Sequence, residues 1–296
     1  MATISRGTKA EKFEFIGRYK DQVNIKRLCE HLEVSRSGYY NWVHREESLR
    51  CKSDKQLLER ITRIFNDNEG IYGSPRIHLI LRSQGFFVGR KRVARLMKSA
   101  NLRARFARVY RNKARKSRSG FAITDNLILE DKSTSSINTH WTMDLTYLAF
   151  GKQWLYLAVV MDLHSRRIVG WSLGEQKNSK LAQRAIQHAI NKRKPRKGLI
   201  LHSDRGSEFA SHELKQFTDR FGIVRSMSRP YKSIDNAEIE SFFQKLKGEY
   251  IIGKLYKTQK ALRKFIAYYI NRFYNPKRLH SSLGYLSPMK FEAIHA

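Results

Sequence analysis

Apolar positions in the first hundred residues recur every three to four residues, the period of an amphipathic helix. Ile25, Leu28, Cys29 and Leu32 share one helical face, a break follows at Glu33-Val34, and Ser35 is placed to cap a second short helix running to Trp42. The pattern predicts a helix-turn-helix over Ile25 to Trp42; a helical hairpin that only packs fits it equally well. Leu57, Leu58, Ile61, Ile64 and Phe65 mark a helix over Asp54 to Phe65. Gly73 and Pro75 then mark a turn, and a helix over Ile77 to Gln84 is closed by Gly85. A further helix, Lys91 to Ala100, turns Val93, Leu96 and Met97 inward and its basic residues elsewhere.

From His140 the pattern changes from helical to extended. His140 to Phe150, Gln153 to Asp162 and Arg166 to Leu173 are rich in Val, Ile, Tyr, Trp and Leu and are joined by short Gly- or Asp-containing breaks, as in an antiparallel meander. Helices are predicted over Asn178 to Lys192, Ser211 to Phe221 and Ala237 to Tyr250, with strands at Gly198 to Ser203 and Ile223 to Met227. Three strands, then alternating helix and strand, then a helix is the order of a ribonuclease-H-like α/β core with a mixed five-stranded sheet, here preceded by all-α segments. The expected divisions are a helix-turn-helix-like segment at 1–50, a basic helical segment at 51–112, a basic linker at 113–138, the ribonuclease-H-like core at 139–250 and a C-terminal helical extension at 251–296.

Charge narrows the partner. The 296 residues carry 58 Lys and Arg against 26 Asp and Glu, a net charge of +32 that favours a partner with many phosphates. A membrane surface is the main rival, but the longest apolar run, Trp154 to Met161, falls well short of the roughly 20 residues that span a bilayer. The first residues lack the apolar stretch of a secretory signal, so a cytoplasmic location is expected. With only Cys29 and Cys51, no disulfide framework or four-ligand zinc site follows from cysteine spacing. No acid occurs from Gly70 through Thr124, while Arg90 to Arg118 is dense in Lys and Arg. A solvated surface normally mixes both signs, so this stretch is read as a double-stranded DNA contact.

Three acids stand against that background. Trp141, Met143, Leu145 and Tyr147 share one face of a strand and Thr142, Asp144 and Thr146 the other, so Asp144 is a carboxylate set into a central strand. Burying it is costly unless a metal or strong hydrogen bonds compensate; a structural Asp held by backbone amides is the alternative. Asp204 closes a short buried strand just before Arg205-Gly206, where parallel strands release side chains into a crevice, and a turn role would look the same locally. Glu240 follows after an interval of 35 residues, on a helix that also carries Lys247 seven positions on, on nearly the same face; a surface Glu-Lys stripe is the alternative. Glu238 lies about 200° round the helix from Glu240, so the two cannot face one site.

The segments WTMDLTYL, WLYLAVVMDLHSRRIVGW, HSDRGSEF, SMSR, DNAEIESFF, LKGE and YNPKRLHSSLGYLSP, with SRSGYYNW, YGSPRI and KRVARLMK ahead of them, resemble the integrase-core (DDE) transposases of bacterial insertion sequences. In particular they resemble the second-reading-frame product of the insertion-sequence-three family. The resemblance covers nearly the whole chain. It implies a retroviral-integrase-type core in which Asp144, Asp204 and Glu240 form the DDE triad and hold two Mg²⁺ ions, with Mn²⁺ able to substitute, and in which Lys247 contacts the element's end. The implied reaction is cleavage and strand transfer at insertion-sequence ends in a bacterial, nucleoid-associated setting, by at least a dimer on DNA. An upstream-frame helix-turn-helix protein, or a fusion with it, is the implied partner. Arg229, Arg36, Lys91, Arg92, Arg95, Arg103 and Arg105 are the expected phosphate contacts. A DNA-bound regulator that does not cut, and a ribonuclease-H-type nuclease, are the competing functions.

Overall fold

A computed structural model describes residues 7–44, 46–105, 124–128, 136–229, 233–251 and 256–295. Most of the linker expected at 113–138, and the basic stretch beyond Arg105, lie outside the described residues. The chain divides into two compact units, one of Met1–Asn68 with Ile77–Leu102 and one of Glu69–Arg76 with Arg103–Ala296.

The first unit is helical: α1 (Lys9–Tyr19), α2 (Ile25–His31), α3 (Arg36–Val43), α4 (Leu49–Asp67), α5 (Ser74–Ser83, its first turn counted with the second unit) and α6 (Arg90–Ser99). Local chemistry sets the starts. Thr8 and Glu11 form a reciprocal capping box at α1, while Asn24, Ser35 and Ser48 accept backbone N–H groups at α2, α3 and α4. The predicted break at Glu33 is a left-handed residue with φ of 53°, which ends α2. Phe13, Ile16, Cys29, Leu32 and Tyr39 form the core of α1 to α3. α5 begins three residues before the predicted start, because Pro75 fits a first helical turn, where an N–H has no acceptor in any case.

The second unit is built on a five-stranded sheet of β1 (His140–Phe150), β2 (Gln153–Asp162), β3 (Ile168–Gly174), β4 (Ile200–Ser203) and β5 (Val224–Met227), in the order β3-β2-β1-β4-β5. β1, β2 and β3 are antiparallel; β4 and β5 join in parallel. This is the expected mixed sheet, and β1 and β2 have the predicted ends. On one face lie α7 (Ser179–Arg193) and α8 (His212–Arg220), with Trp141, Met143, Val160, Ala185, Leu201 and Phe209 among the buried residues. Close approach of α7 needs a residue without a side chain in β3: a Cβ on Gly170 would stand 2.3 Å from the Ala185 carbonyl oxygen.

α9 (Ala237–Leu246) packs against β1, and the chain continues through a π-helical turn (Lys247–Ile251), α10 (Gln259–Tyr268), a second π-helical segment (Tyr269–Tyr274) and α11 (Pro288–His295). The single predicted helix over Ala237 to Tyr250 is thus α9 followed by a wider turn. Phe242, Tyr250, Tyr269, Phe273 and Tyr274 form an aromatic cluster there. Glu249 and Arg278 form an ion pair buried at 3% and 2% side-chain exposure. Asn275 accepts from the Ile168 N–H and donates to the Ile168 carbonyl, closing off the edge strand β3. Glu292 on α11 is tied to Arg167, Arg193 and Ser165.

Candidate active site

Sheet register brings the first two acids together. β1 and β4 pair in parallel with His140 opposite Ile200 and Thr142 opposite His202, so the same register carried on sets Asp144 level with Asp204. Adjacent strands lie about 4.8 Å apart. Asn236, at the start of α9, accepts a hydrogen bond from the Thr142 hydroxyl and donates from Nδ2 to the Met143 carbonyl at 3.4 Å. These contacts lay the first turns of α9 over β1 and carry Glu240 toward Asp144.

The electrostatics record that convergence. Desolvation, followed by the charge of Asp204, holds the Asp144 carboxyl well above the usual carboxylate range, and Glu240 and Glu208 push the same way. The Leu145 N–H, donating to Asp144 Oδ1 at 2.7 Å, opposes them. Asp204 is also raised, by partial desolvation and by Glu208, against the Gly206 N–H that donates to its Oδ1 at 2.9 Å and the charge of Lys177. Among the described residues no three of His, Cys, Asp and Glu gather tightly enough to share a single ion.

Sequence reasoning missed two neighbours of this group. Glu208 is buried at 4% exposure and pairs with the half-exposed Lys177 at 2.9 Å. Burial disfavours the charge on Lys177, but its hydrogen bond to Glu208 and the charges of Glu208, Asp204 and Asp144 outweigh this and raise its pKa. Tyr147 is the second, with Lys247 Nζ 4.3 Å over its ring. Desolvation lowers the Lys247 pKa and Asp144 raises it, so Lys247 sits beside the carboxylate cluster. Alternation along β1 marked Tyr147 as opposite in face to Asp144, and only tertiary packing of the wider turn after α9 brings Lys247 to it.

Glu238 turns away from Asp144 and meets Arg166 at 3.2 Å, as its angle on the helix requires. The expected phosphate contacts differ in how far they are already engaged. Arg229 donates twice to Asp235, at 3.2 and 3.0 Å, and Arg92 and Arg95 hold Asp54 at 2.7 and 2.5 Å. Arg36 and Lys91 are exposed on α3 and α6, and Arg103 and Arg105 are exposed just after α6. The described residues contain no helix long and apolar enough to cross a membrane.

An integrase core domain family matches residues 135–233, which hold Asp144 and Asp204, and a second integrase core family matches 221–288, which hold Glu240 and Lys247. An HTH-like domain family matches residues 52–110, the region of α4 to α6, whereas the sequence pattern placed its helix-turn-helix at α2 and α3. Transposase InsF for insertion sequence IS3A of Escherichia coli (strain K12) is 36% identical over 287 residues, covering 95% of this chain and 98% of that protein. The uncharacterized 31 kDa protein of insertion element IS600 from Shigella sonnei is 36% identical over 264 residues, 89% of this chain and 97% of its own length. Among solved structures, the HTLV-2 integrase catalytic core domain in complex with magnesium is 18% identical with a TM-score of 0.40, covering 53% of this chain and 97% of that chain. With an integrase core, an HTH-like domain and 36% identity to InsF over nearly its whole length, the chain belongs to the IS3 family of insertion-sequence transposases.

Proposed function

We propose that this transposase acts as a metal-dependent polynucleotidyl transferase, with Asp144, Asp204 and Glu240 as its catalytic carboxylates. It would hydrolyse a phosphodiester at the end of an insertion sequence, and the freed 3′-hydroxyl would attack a second phosphodiester in target DNA. One observation carries the reading: parallel pairing sets Asp144 level with Asp204 on neighbouring strands, where Asp204 and Glu240 both act on the charge of the desolvated Asp144 carboxyl. Carboxylates crowded in this way repel one another until a cation joins them, and hard oxygen donors suit Mg²⁺, with Mn²⁺ as a substitute. Bound there, two such ions would polarise the attacking and leaving oxygens of an in-line displacement. Asp144, Asp204 and Glu240 would hold them.

The chain's own groups prepare that arrangement. The Leu145 and Gly206 N–H groups fix one oxygen each of Asp144 and Asp204, while Lys177 balances Glu208. Lys247 stands beside the acids and would meet a phosphate of the bound end. Arg36, Lys91, Arg103 and Arg105 would contact DNA phosphates directly. Arg92, Arg95 and Arg229 would do so only by sharing or leaving the carboxylates they now hold. Reaction at two element ends requires at least two copies on DNA, and an upstream-frame helix-turn-helix protein or fusion would supply further end recognition.

Asp204→Asn tests the proposal. The variant keeps shape and hydrogen bonding but loses the charge, so cleavage of a duplex bearing the element's ends should fall at least about 100-fold while DNA affinity is retained. Unchanged cleavage would remove Asp204 from the chemistry, and an absence of cleavage by the unaltered protein would favour a regulator that only binds.

A further inference from the structure

A cleft of about 310 Å³ opens on the flank of α9 turned away from Glu240. At 100° per residue, Glu238 and Lys245 both lie more than a quarter-turn round the helix from Glu240. The cleft is also lined by Arg166 from the β2–β3 turn and by His280, Ser281 and Ser282 from the C-terminal segment.

Two of these groups, His280 and Lys245, await a partner, and Arg166 stands beside them. His280 is 4% exposed, yet its buried Nε2 has no hydrogen-bond partner among the described residues. Buried polar atoms left in that state are rare in native proteins and call for an explanation. Lys245 makes no ion pair among the described residues; burial and the charges of Arg278, Arg76 and Arg166 press its pKa down to about 8, against the opposing pull of Glu249. Arg166 occupies a left-handed backbone position, φ 59°, which is uncommon for a residue with a side chain. Asp162 holds that turn by accepting from the Ser165 N–H at 2.9 Å and its hydroxyl at 3.0 Å. Among the described residues Glu238 is the one acid lining the cleft, and it pairs with Arg166.

We infer that this cleft is a subsite for one phosphodiester group of the DNA backbone, with Lys245 supplying charge, Arg166 shared between Glu238 and the phosphate, and His280, Ser281 and Ser282 supplying hydrogen-bond donors. The chemistry fits, because a phosphodiester offers only acceptors and spreads a single negative charge over its oxygens. Position fits as well. A helix with its side chains is about 10 Å across, so a strand crossing α9 from the acids to this cleft spans roughly three nucleotides at 3.4 Å of rise each. The inference rests on the reading of the protein as an enzyme that acts on DNA.

The test uses the full chain and a duplex of arbitrary sequence, with affinity followed by fluorescence anisotropy as salt is raised from about 50 to 200 mM. Losing one phosphate contact lowers the slope of log affinity against log salt by about 0.9, so the fall over that range should shrink about 3.5-fold for Lys245→Met. Ser282→Asp, at an exposed position where folding is not at risk, should weaken binding and lower the slope as well. Wild-type slopes in both variants would overturn the subsite while leaving the catalytic reading intact. A wild-type protein that binds but never cuts, with the slope change still present, would do the reverse. No binding of duplex by the wild-type protein would overturn the phosphodiester assignment. So would inorganic phosphate, at constant ionic strength, raising the melting temperature of the wild type but not of Lys245→Met while duplex slopes stay equal: the cleft would then belong to a small phosphate.

Discussion

Gly206→Ala asks whether the position of the Asp204 carboxylate, and not merely its presence, sets the rate. A Cβ at residue 206 would stand 2.6 Å from Glu208 Oε1 and 3.0 Å from Asp204 Oδ1. Ordinary contact begins at 3.4 Å, so something must retreat by roughly 0.8 Å, the difference between 3.4 and 2.6 Å. Glu208 is poorly able to do so, because it is buried and held by Lys177 at 2.9 Å. The displacement therefore falls on the turn that fixes Asp204 through the Gly206 N–H. Overpacking of this kind costs about 1–3 kcal/mol of stability, and a misplacement near 1 Å at a reacting centre costs about 100-fold in rate. Single-turnover cleavage of an end duplex in Mg²⁺ should accordingly drop about 100-fold with affinity for that duplex nearly unchanged. Shortening the obstacle in Gly206→Ala/Glu208→Ser relieves the tighter contact and should recover part of the loss. Wild-type cleavage by Gly206→Ala, or a double variant no faster than the single one, would refute the reasoning.

Three further outcomes follow from the same structure. Mg²⁺ should raise the melting temperature of the wild-type protein, by about 2.7 kcal/mol of stability at a hundredfold excess over its dissociation constant, and should do far less for Asp144→Asn; an equal gain in both would place the ion elsewhere. Burial first, then Arg278, Lys245, Arg76 and Arg166, hold His280 at a pKa of about 2 in the fold against 6.5 ordinarily. Its neutral form is favoured on folding, so this stability is complete above pH 6.5 and is lost as pH falls below that value, by about 1.4 kcal/mol per pH unit; urea titrations at stepped pH should lose that component in His280→Gln. Arg278→Met leaves Glu249 buried and uncompensated and should cost about 3–5 kcal/mol in urea unfolding, whereas Glu249→Leu/Arg278→Met should return most of it; equal losses in both would mean the aromatic packing, not the charge, is at stake.

Much of the fold was legible because short-range rules govern it. Alternation along His140 to Phe150 gave β1 and the face that carries Asp144, and a serine at 35 gave the start of α3. What escaped was set by distant partners. Glu208 and Lys177 are separated by helix, strand and turn, and nothing local marks them as a pair beside Asp204. A count of cations cannot tell which are already committed: Arg92 and Arg95 serve Asp54, and Arg229 serves Asp235 at the threshold of α9. Those internal pairs make part of the basic charge structural, so fewer cations are left for the proposed phosphate contacts than composition implies. α9 is then the element on which both ideas about function meet. One flank presents Glu240 to Asp144, the opposite flank presents Lys245 to a cleft rich in donors, and the wider turn that follows brings Lys247 over Tyr147. A DNA strand drawn across that helix would meet positive charge on both sides of the acids. Repulsion between its phosphates and the carboxylates would thereby be offset beside the scissile bond.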